Sequence, residues 1–174
     1  MLCVFLIIVT LLFSIFFVNS FFTSAPFVPV KKRVLKKIIE SLKLTPKSTL
    51  YDLGCGDGRV LIDAVNTVGG IKAVGVEKNI IVCLWAKWRA RRTNIKIYCN
   101  DFSQISLKEA THIYLYLYPE LMDKILVKIK KECAPGTRIV SCSFTFSDLV
   151  PCEVIDLPVA RDKMCKKLYV YILN

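Results

Sequence analysis

The hydrophobic positions of the chain change their spacing twice, beginning with an unbroken apolar run. Residues 2–22 are uncharged and mostly apolar. A helix of that length, at about 1.5 Å per residue, would be roughly 30 Å long, which matches a bilayer core. We therefore expect a transmembrane anchor over residues 1–23. A cleaved signal peptide is the alternative, but no basic residue precedes the run and a proline follows the small residues at 23–25.

The second change of spacing follows two prolines. Pro26 and Pro29 restrict their own backbone and that of the residues before them, which predicts an extended linker. Beyond the linker, apolar residues recur at helical spacing up to Pro46, so residues 24–47 are expected to form a linker and a basic amphipathic helix that packs on the following domain. The apolar positions of this helix are Val34, Leu35, Ile38, Ile39 and Leu42.

From residue 48 onward, short apolar runs alternate with stretches of helical periodicity. The runs predict strands within residues 48–53, 71–76, 95–99, 111–118, 137–144, 154–157 and 167–173, with helices after the first, second and fourth. No helical pattern separates the fifth run from the sixth. Residues 48–174 are therefore expected to form an α/β domain, an open and mostly parallel seven-stranded sheet with a C-terminal antiparallel strand pair.

The helix expected over residues 79–92 has two unlike sides. Trp85 and Trp88 lie on one side, and we expect this pair to pack in the core. The other side is basic, with Lys87, Arg89, Arg91 and Arg92.

Charge is distributed as unevenly as hydrophobicity. The formal net charge is +11, and residues 1–30 contain no charged residue, so the whole excess lies in residues 31–174. A basic cluster at residues 31–37 directly follows the apolar run and linker. Because basic residues beside a span stay on the cytoplasmic side, we expect a single-pass membrane protein whose domain faces the cytoplasm or an organelle matrix. The cluster favours anionic lipid headgroups as its partner, with nucleic acid kept as the weaker alternative.

Eight cysteines are scattered along the chain without a C-x-x-C pair. Most lie in apolar runs, where a free cysteine behaves as a small buried hydrophobe. We therefore expect reduced thiols and no metal site.

Three glycines at alternate positions follow the first predicted strand directly. A dinucleotide-binding G-x-G-x-x-G turn that began at Gly54 would need a glycine at position 59, which is Arg59. The turn is instead Gly54-x-Gly56-x-Gly58, with Asp52 before it and Asp57 within it. Negative charge disfavours a pyrophosphate and suits a ligand with ammonium and sulfonium centres.

Acidic residues also end the next two predicted strands. Glu77 follows the second strand and Asp101 follows the third. In a parallel sheet these carboxyl ends lie along one edge, where α/β folds bind ligands. An acid after strand two can accept hydrogen bonds from ribose hydroxyls, and an acid after strand three can reach an adenine amine. The pattern predicts an adenosine-containing cofactor.

These segments resemble a known family. Residues 51–59, 74–77 and 100–102 are similar, in order and spacing, to the cofactor motifs of class I S-adenosylmethionine-dependent methyltransferases. The resemblance implies a Rossmann-like methyltransferase sheet that binds S-adenosyl-L-methionine. The cofactor-binding residues it implies are Asp52, Gly54, Gly56, Asp57, Gly58, Glu77, Asp101 and Phe102.

A narrower resemblance covers most of the chain. The apolar front segment, the prolines at 26 and 29, the glycine turn and residues 117–122 are together similar to the small membrane-anchored lysine methyltransferases, which include the ATP synthase c-subunit lysine methyltransferase and prokaryotic relatives. This implies methylation of lysine in a membrane or membrane-proximal protein. Family members often carry a longer connection than the short segment 143–151, so an element that covers the substrate is expected to be missing.

Methyl transfer to lysine needs a neutral, aligned amine, which a semi-buried aromatic channel favours. Phe27 and Pro29 are candidates for the substrate channel, and Tyr118 and Glu120 for the catalytic group. Each of the latter has a plainer interpretation: Tyr118 as a core strand residue and Glu120 as a helix-start acid. Two other functions stay open. One is methylation of a lipid, small molecule or RNA, and the other is a non-catalytic, cofactor-binding membrane scaffold.

Overall fold

The computed structural model describes residues 4–11, 13–14, 30, 32–157 and 165–174. Within these ranges, residues 32–174 contain seven strands, four helices and a short 3-10 helix at Phe102–Gln104. The strands are β1 (Thr49–Leu53), β2 (Lys72–Glu77), β3 (Lys96–Cys99), β4 (His112–Leu115), β5 (Arg138–Cys142), β6 (Glu153–Asp156) and β7 (Lys167–Ile172). The helices are α1 (Lys32–Leu42), α2 (Arg59–Thr67), α3 (Ile80–Ala90) and α4 (Pro119–Glu132).

All seven strands join one sheet in the order β3-β2-β1-β4-β5-β7-β6. The first five strands are parallel, and β7 pairs antiparallel with both β5 and β6. This confirms the predicted mostly parallel sheet with an antiparallel pair at its end. The order reverses at β1 and β4, so the loops after these two central strands open into the crevice where such sheets bind ligands.

Helices cover both faces of the sheet. On one face, apolar side chains of α1, α2 and α3 pack with one set of strand residues, among them Leu50 and Tyr114. On the other face, α4 packs with the alternate set, among them Leu53 and Leu115. The amphipathic helix expected near residues 31–43 is α1, and all five of its apolar positions are buried. Because both faces are covered, the side chains of the central strands β1 and β4 are almost all buried, and most of them are apolar.

The predicted N-terminal transmembrane helix is wrong for the part of the chain that the structure describes. No helix there is both long enough and apolar enough to cross a membrane. The helical residues near the N-terminus are 4–11 and 13–14. The rest of the proposed anchor, and most of the linker, lie outside the described residues.

Two disulfides contradict the expectation that the cysteines are reduced. Cys83 on α3 is bonded to Cys99 at the end of β3, and Cys142 at the end of β5 is bonded to Cys165. The Cα atoms of the two pairs are 5.5 and 6.2 Å apart. Sequence spacing did not reveal either pair, because folding brings together residues 16 and 23 positions apart.

The fourth strand and the tryptophan pair also differ from expectation. Strand β4 ends at Leu115, and Tyr118 occupies the N-cap position of α4, without a side-chain capping hydrogen bond, instead of lying in the strand. Pro119 accounts for this, because a proline restricts the preceding residue to extended backbone. Trp85 and Trp88 are not in the core: each side chain is 54% exposed.

Candidate cofactor and active site

The glycine turn leaves the carboxyl end of β1 and is attached to β2. The backbone amides of Gly54 and Cys55 both donate to the carbonyl of Val76, at 2.8 and 3.0 Å. Gly54 has a φ of 86°, and a Cβ placed there would lie 2.8 Å from a methyl group of Leu117. Gly58 has a φ of 74° where α2 begins. The turn therefore depends on glycine for its conformation and for the close approach of the loop after β4.

Glu77 holds the turn from the neighbouring strand. One carboxylate oxygen accepts a hydrogen bond from the amide of Gly56 at 3.0 Å, and the other accepts one from the amide of Asn79 at 2.8 Å. A carboxylate has about four acceptor sites, so these bonds leave capacity for the two hydroxyls of a ribose. Asn79 in turn caps α3 by accepting from the amides of Ile81 and Val82. The predicted ribose acid thus has a fixed orientation beside the glycine turn.

Asp101 follows β3 at the same edge of the sheet. Its carboxylate accepts from the amide of Ser103 at 2.9 Å and lies 3.2 Å from the ammonium of Lys78. Burial acts to raise the pKa of Asp101, but these hydrogen bonds and the Lys78 charge outweigh it and lower the pKa below its ordinary value. Phe102 begins the 3-10 helix and packs partly against the core beneath. The assignments of Asp101 to the adenine and of Phe102 to the cofactor stay predictions.

Asp57 has a role that the sequence pattern does not indicate. Its side chain binds the guanidinium of Arg59 with two hydrogen bonds, at 2.8 and 2.7 Å, and forms an ion pair with Arg89. Arg59 also donates to the carbonyl of Val30 at 2.6 Å, which connects the turn to the segment that precedes α1. Burial tends to raise the pKa of Asp57, but the two arginines lower it overall. Asp57 therefore fixes the turn, with its charge already neutralised.

The carboxyl group of Asp52 has surroundings opposite to those of Asp57. It is 1% exposed at the end of β1, and its Oδ1 atom has no hydrogen-bond partner among the residues that the structure describes. Tyr114 lies directly beside it in register on β4, and the Tyr114 hydroxyl is unpartnered in the same part of the chain. Burial, together with the charges of Glu77 and Asp57, raises the pKa of Asp52 well above its ordinary value. A buried acid without a partner fits a cationic ligand, because a positive charge there would offset the cost of desolvation.

The loop after β4 lies beside the glycine turn. Tyr118 packs against Phe144, with ring centroids 6.2 Å apart, and Leu117 contacts the glycine turn. The short connection after β5 is fixed in place: Ser141 donates to the carbonyl of Phe144 at 2.7 Å, and Ser147 binds Asp123 of α4 through its amide and hydroxyl at 3.0 and 2.7 Å. This connection holds Phe144 against Tyr118.

The other acceptor-side predictions have mixed outcomes. Glu120 is exposed in the first turn of α4, as its plainer interpretation expects. Phe27 and Pro29 lie outside the described residues. Sequence reasoning missed Arg59, Arg89, Tyr114 and Phe144. Only Arg59 had a visible signal, since an acid and an arginine two residues apart can pair locally.

Comparison with known proteins agrees with this geometry. The chain matches the ANTKMT methyltransferase domain over residues 52–153, which include the glycine turn, Glu77 and Asp101. It is 32% identical to a protein-lysine N-methyltransferase of Saccharolobus islandicus, over 89% of this chain and 98% of that protein. It is 28% identical to the ATP synthase c-subunit lysine N-methyltransferase of Rattus norvegicus, over 72% of this chain but only 59% of that relative's length.

A solved structure is also similar. The crystal structure of an RNA methyltransferase from Salinibacter ruber, in complex with S-adenosyl-L-homocysteine, superposes with a TM-score of 0.76 at 28% identity. The match covers 84% of this chain and 94% of that one. That structure holds the demethylated cofactor in a fold of the same kind as the present sheet.

Proposed function

Because the chain belongs to the ANTKMT methyltransferase domain family, we propose that it transfers the methyl group of S-adenosylmethionine to lysine side chains of a protein. It is an S-adenosylmethionine-dependent methyltransferase, and its relatives include proteins named for methylation of protein lysine. The identity of the acceptor is the proposed part. That the acceptor is membrane-proximal, and that the domain faces the cytoplasm, stay predictions.

The observation that carries the proposal is the buried acid at the end of β1. S-adenosylmethionine supplies an electrophilic methyl group on a positively charged sulfur. Asp52 provides a buried carboxyl group with one unpartnered oxygen, whose ionised form a cationic cofactor would stabilise, and the glycine turn allows close approach of the ligand to the backbone. Glu77 would bind the ribose, and Asp101 with Phe102 would bind the adenine.

The acceptor side fits an aliphatic amine. A lysine amine has a pKa of about 10.4 in water and must lose its proton before it attacks the methyl group. The rings of Tyr118 and Phe144 pack against each other after β4 and β5, and aromatic surroundings of this kind disfavour the charged form of the amine. We assign Tyr118 to the alignment of the amine. Glu120, on the exposed first turn of α4, is the remaining candidate for accepting its proton.

The test is methyl transfer to whole-cell fractions. The full chain is incubated with S-adenosylmethionine labelled in the methyl group, and label is followed into protein, lipid and RNA. We expect label in protein, recovered as methyllysine by mass spectrometry after hydrolysis. The variant Glu77→Ala should abolish transfer, whereas Glu109→Ala, at an exposed acid away from the site, should not.

Two outcomes would overturn the proposal. Label confined to RNA or lipid would favour the alternative acceptors, of which RNA has the support of the similar Salinibacter structure. No label, with S-adenosylmethionine still bound in calorimetry, would favour a cofactor-binding protein without turnover.

A further inference from the structure

Helix α3 has an inverted distribution of side-chain size. Its inner stripe, against the sheet, consists of the small residues Cys83, Ala86 and Ala90. Its outer side carries the large apolar residues, 54–58% exposed: Ile80, Leu84, Trp85 and Trp88. We call these four residues the Trp patch. Helices normally bury their large apolar side chains, so an outer face of this kind indicates a binding surface.

The charge around the Trp patch has one sign. Lys87, Arg91 and Arg92 are exposed beside it, and no acidic residue occurs between Lys78 and Tyr98. None of these three basic residues forms an ion pair with an acid in the part of the chain that the structure describes. The surface is thus apolar at its centre and cationic at its border.

Helix α4, on the other face of the sheet, lacks such a surface, so the combination of exposed apolar residues and a basic border is specific to α3. Its exposed positions carry both signs, including Glu120, Asp123, Lys124 and Lys131. Val127 is its one large apolar residue with high exposure. Both helices cover the same sheet, one on each face, so the need to cover the sheet does not explain the Trp patch.

We propose that the Trp patch docks this domain peripherally onto an anionic lipid surface. Tryptophan is enriched at membrane interfaces, and aliphatic side chains such as Ile80 and Leu84 can enter the acyl boundary. The basic border would bind acidic headgroups. The contact is with the membrane surface and needs no membrane-spanning segment.

The arrangement of the rings disfavours single-stranded nucleic acid. A base would stack on a free aromatic face. Trp88 is already stacked against Trp85, with ring centroids 5.2 Å apart, and the guanidinium of Arg91 lies 4.4 Å from the Trp88 ring. Ile80 and Leu84 offer no stacking surface, whereas they suit a lipid. The observations therefore favour lipid over RNA.

The position of α3 in the fold relates the Trp patch to the cofactor-binding edge of the sheet. Ile80 follows Glu77 by three residues, so one end of the Trp patch adjoins the cofactor-binding edge of the sheet. Docking through α3 would hold that edge close to the lipid surface. The inference concerns binding alone and does not rest on the proposed lysine methylation.

The two tryptophans provide the experiment, because the chain contains no others. The full chain is mixed with vesicles of phosphatidylcholine, with or without about one third phosphatidylglycerol, that carry brominated acyl chains as quenchers. We expect a blue shift and quenching of the tryptophan emission with the anionic vesicles, and much less with the neutral ones. This readout is local, so binding through the apolar N-terminal run alone would leave the emission unchanged and overturn the proposal.

Matched charge variants complete the test. R91E/R92E on α3 should weaken binding to anionic vesicles at least tenfold, whereas K124E/K131E on α4 should change it less than threefold. If the two double variants weaken binding equally, the net charge of the protein alone explains the attraction. That result would contradict a specific docking surface on α3. Two other outcomes would also overturn the proposal. One is quenching by an RNA oligonucleotide but not by vesicles, and the other is a concentration-dependent emission shift without lipid, which would indicate a second copy on the Trp patch.

Discussion

Asp52 and Asp57 belong to the same glycine turn and are both almost fully buried, yet their carboxyl groups have opposite environments. Asp57 is enclosed by Arg59 and Arg89, and these arginines outweigh burial and lower its pKa. Asp52 has one oxygen without a partner among the described residues, and burial raises its pKa. The resemblance to methyltransferase motifs assigned both to the cofactor. The contacts separate them: one acid stabilises the turn, and the other remains available to a ligand.

This separation predicts opposite results for the same chemical change. A buried acid with two partners should matter to the fold, because its removal leaves two positive groups behind. A buried acid without a complete set of partners should matter little to the fold of the free protein and more to ligand binding. Stability and cofactor affinity therefore have to be measured side by side on each variant.

The largest expected effect is that of Asp57→Asn on stability. Loss of the charge leaves Arg59 and Arg89 without their counter-ion, and breaking a buried ion pair in this way costs about 3 kcal/mol or more. The free energy of unfolding in urea measures it. Asp156→Asn is the matched control, because the Asp156–Lys167 pair is exposed and should contribute less than about 1 kcal/mol. If both variants lose the same small amount, Asp57 does not hold the turn.

Asp52→Asn should have the next largest effect, and on a different quantity. We expect binding of S-adenosylhomocysteine and S-adenosylmethionine to weaken by about 1.5–3 kcal/mol, the range of hydrogen bonds to charged groups. The free energy of unfolding of the unliganded protein should change by less than about 1 kcal/mol, because the desolvated charge disappears with the side-chain oxygen. Calorimetry and urea unfolding measure the two quantities. A large loss of stability with unchanged affinity would reverse the roles assigned to the two acids.

A weaker effect is expected in the pH dependence of stability. The folded-state pKa of Asp52 is raised, so the folded protein binds this proton more readily, and stability should fall as pH rises from 3.8 through the raised pKa. The folded-state pKa of Asp57 is lowered, so its contribution is present above 3.8 and is lost as pH falls further. Urea midpoints measured between pH 3 and 8 should therefore vary less in Asp52→Asn than in the unmodified protein. An unchanged pH profile would show that Asp52 titrates normally.

The difference between local and long-range contacts explains which features could be predicted from the sequence. The strand-turn-helix at residues 49–67, Glu77 and Asp101 were predictable, because each follows from local periodicity and from the geometry of parallel sheets. Arg89 lies 32 residues from Asp57, and the Cys83–Cys99 bond joins two elements, so neither has a local signal. The exposed Trp pair was assigned to the core because hydrophobicity alone does not show which side of a helix is covered. The transmembrane prediction rested on apolar length alone, and no helix of the described residues is long and apolar enough to span a membrane.

The smallest expected effect is that of a substitution at Tyr114, the neighbour of Asp52 on β4. Tyr114→Phe removes a buried hydroxyl that has no partner among the described residues, so the unliganded protein should keep its stability or gain up to about 1 kcal/mol. If the hydroxyl supports Asp52 when the cofactor binds, affinity for S-adenosylhomocysteine should fall a few-fold, well short of the loss in Asp52→Asn. The double variant decides whether the residues act together: once Asp52 is replaced, Tyr114→Phe should have no further effect on affinity. Full additivity in calorimetry would make Tyr114 an independent core residue and leave Asp52 as the only ligand-directed group of the pair.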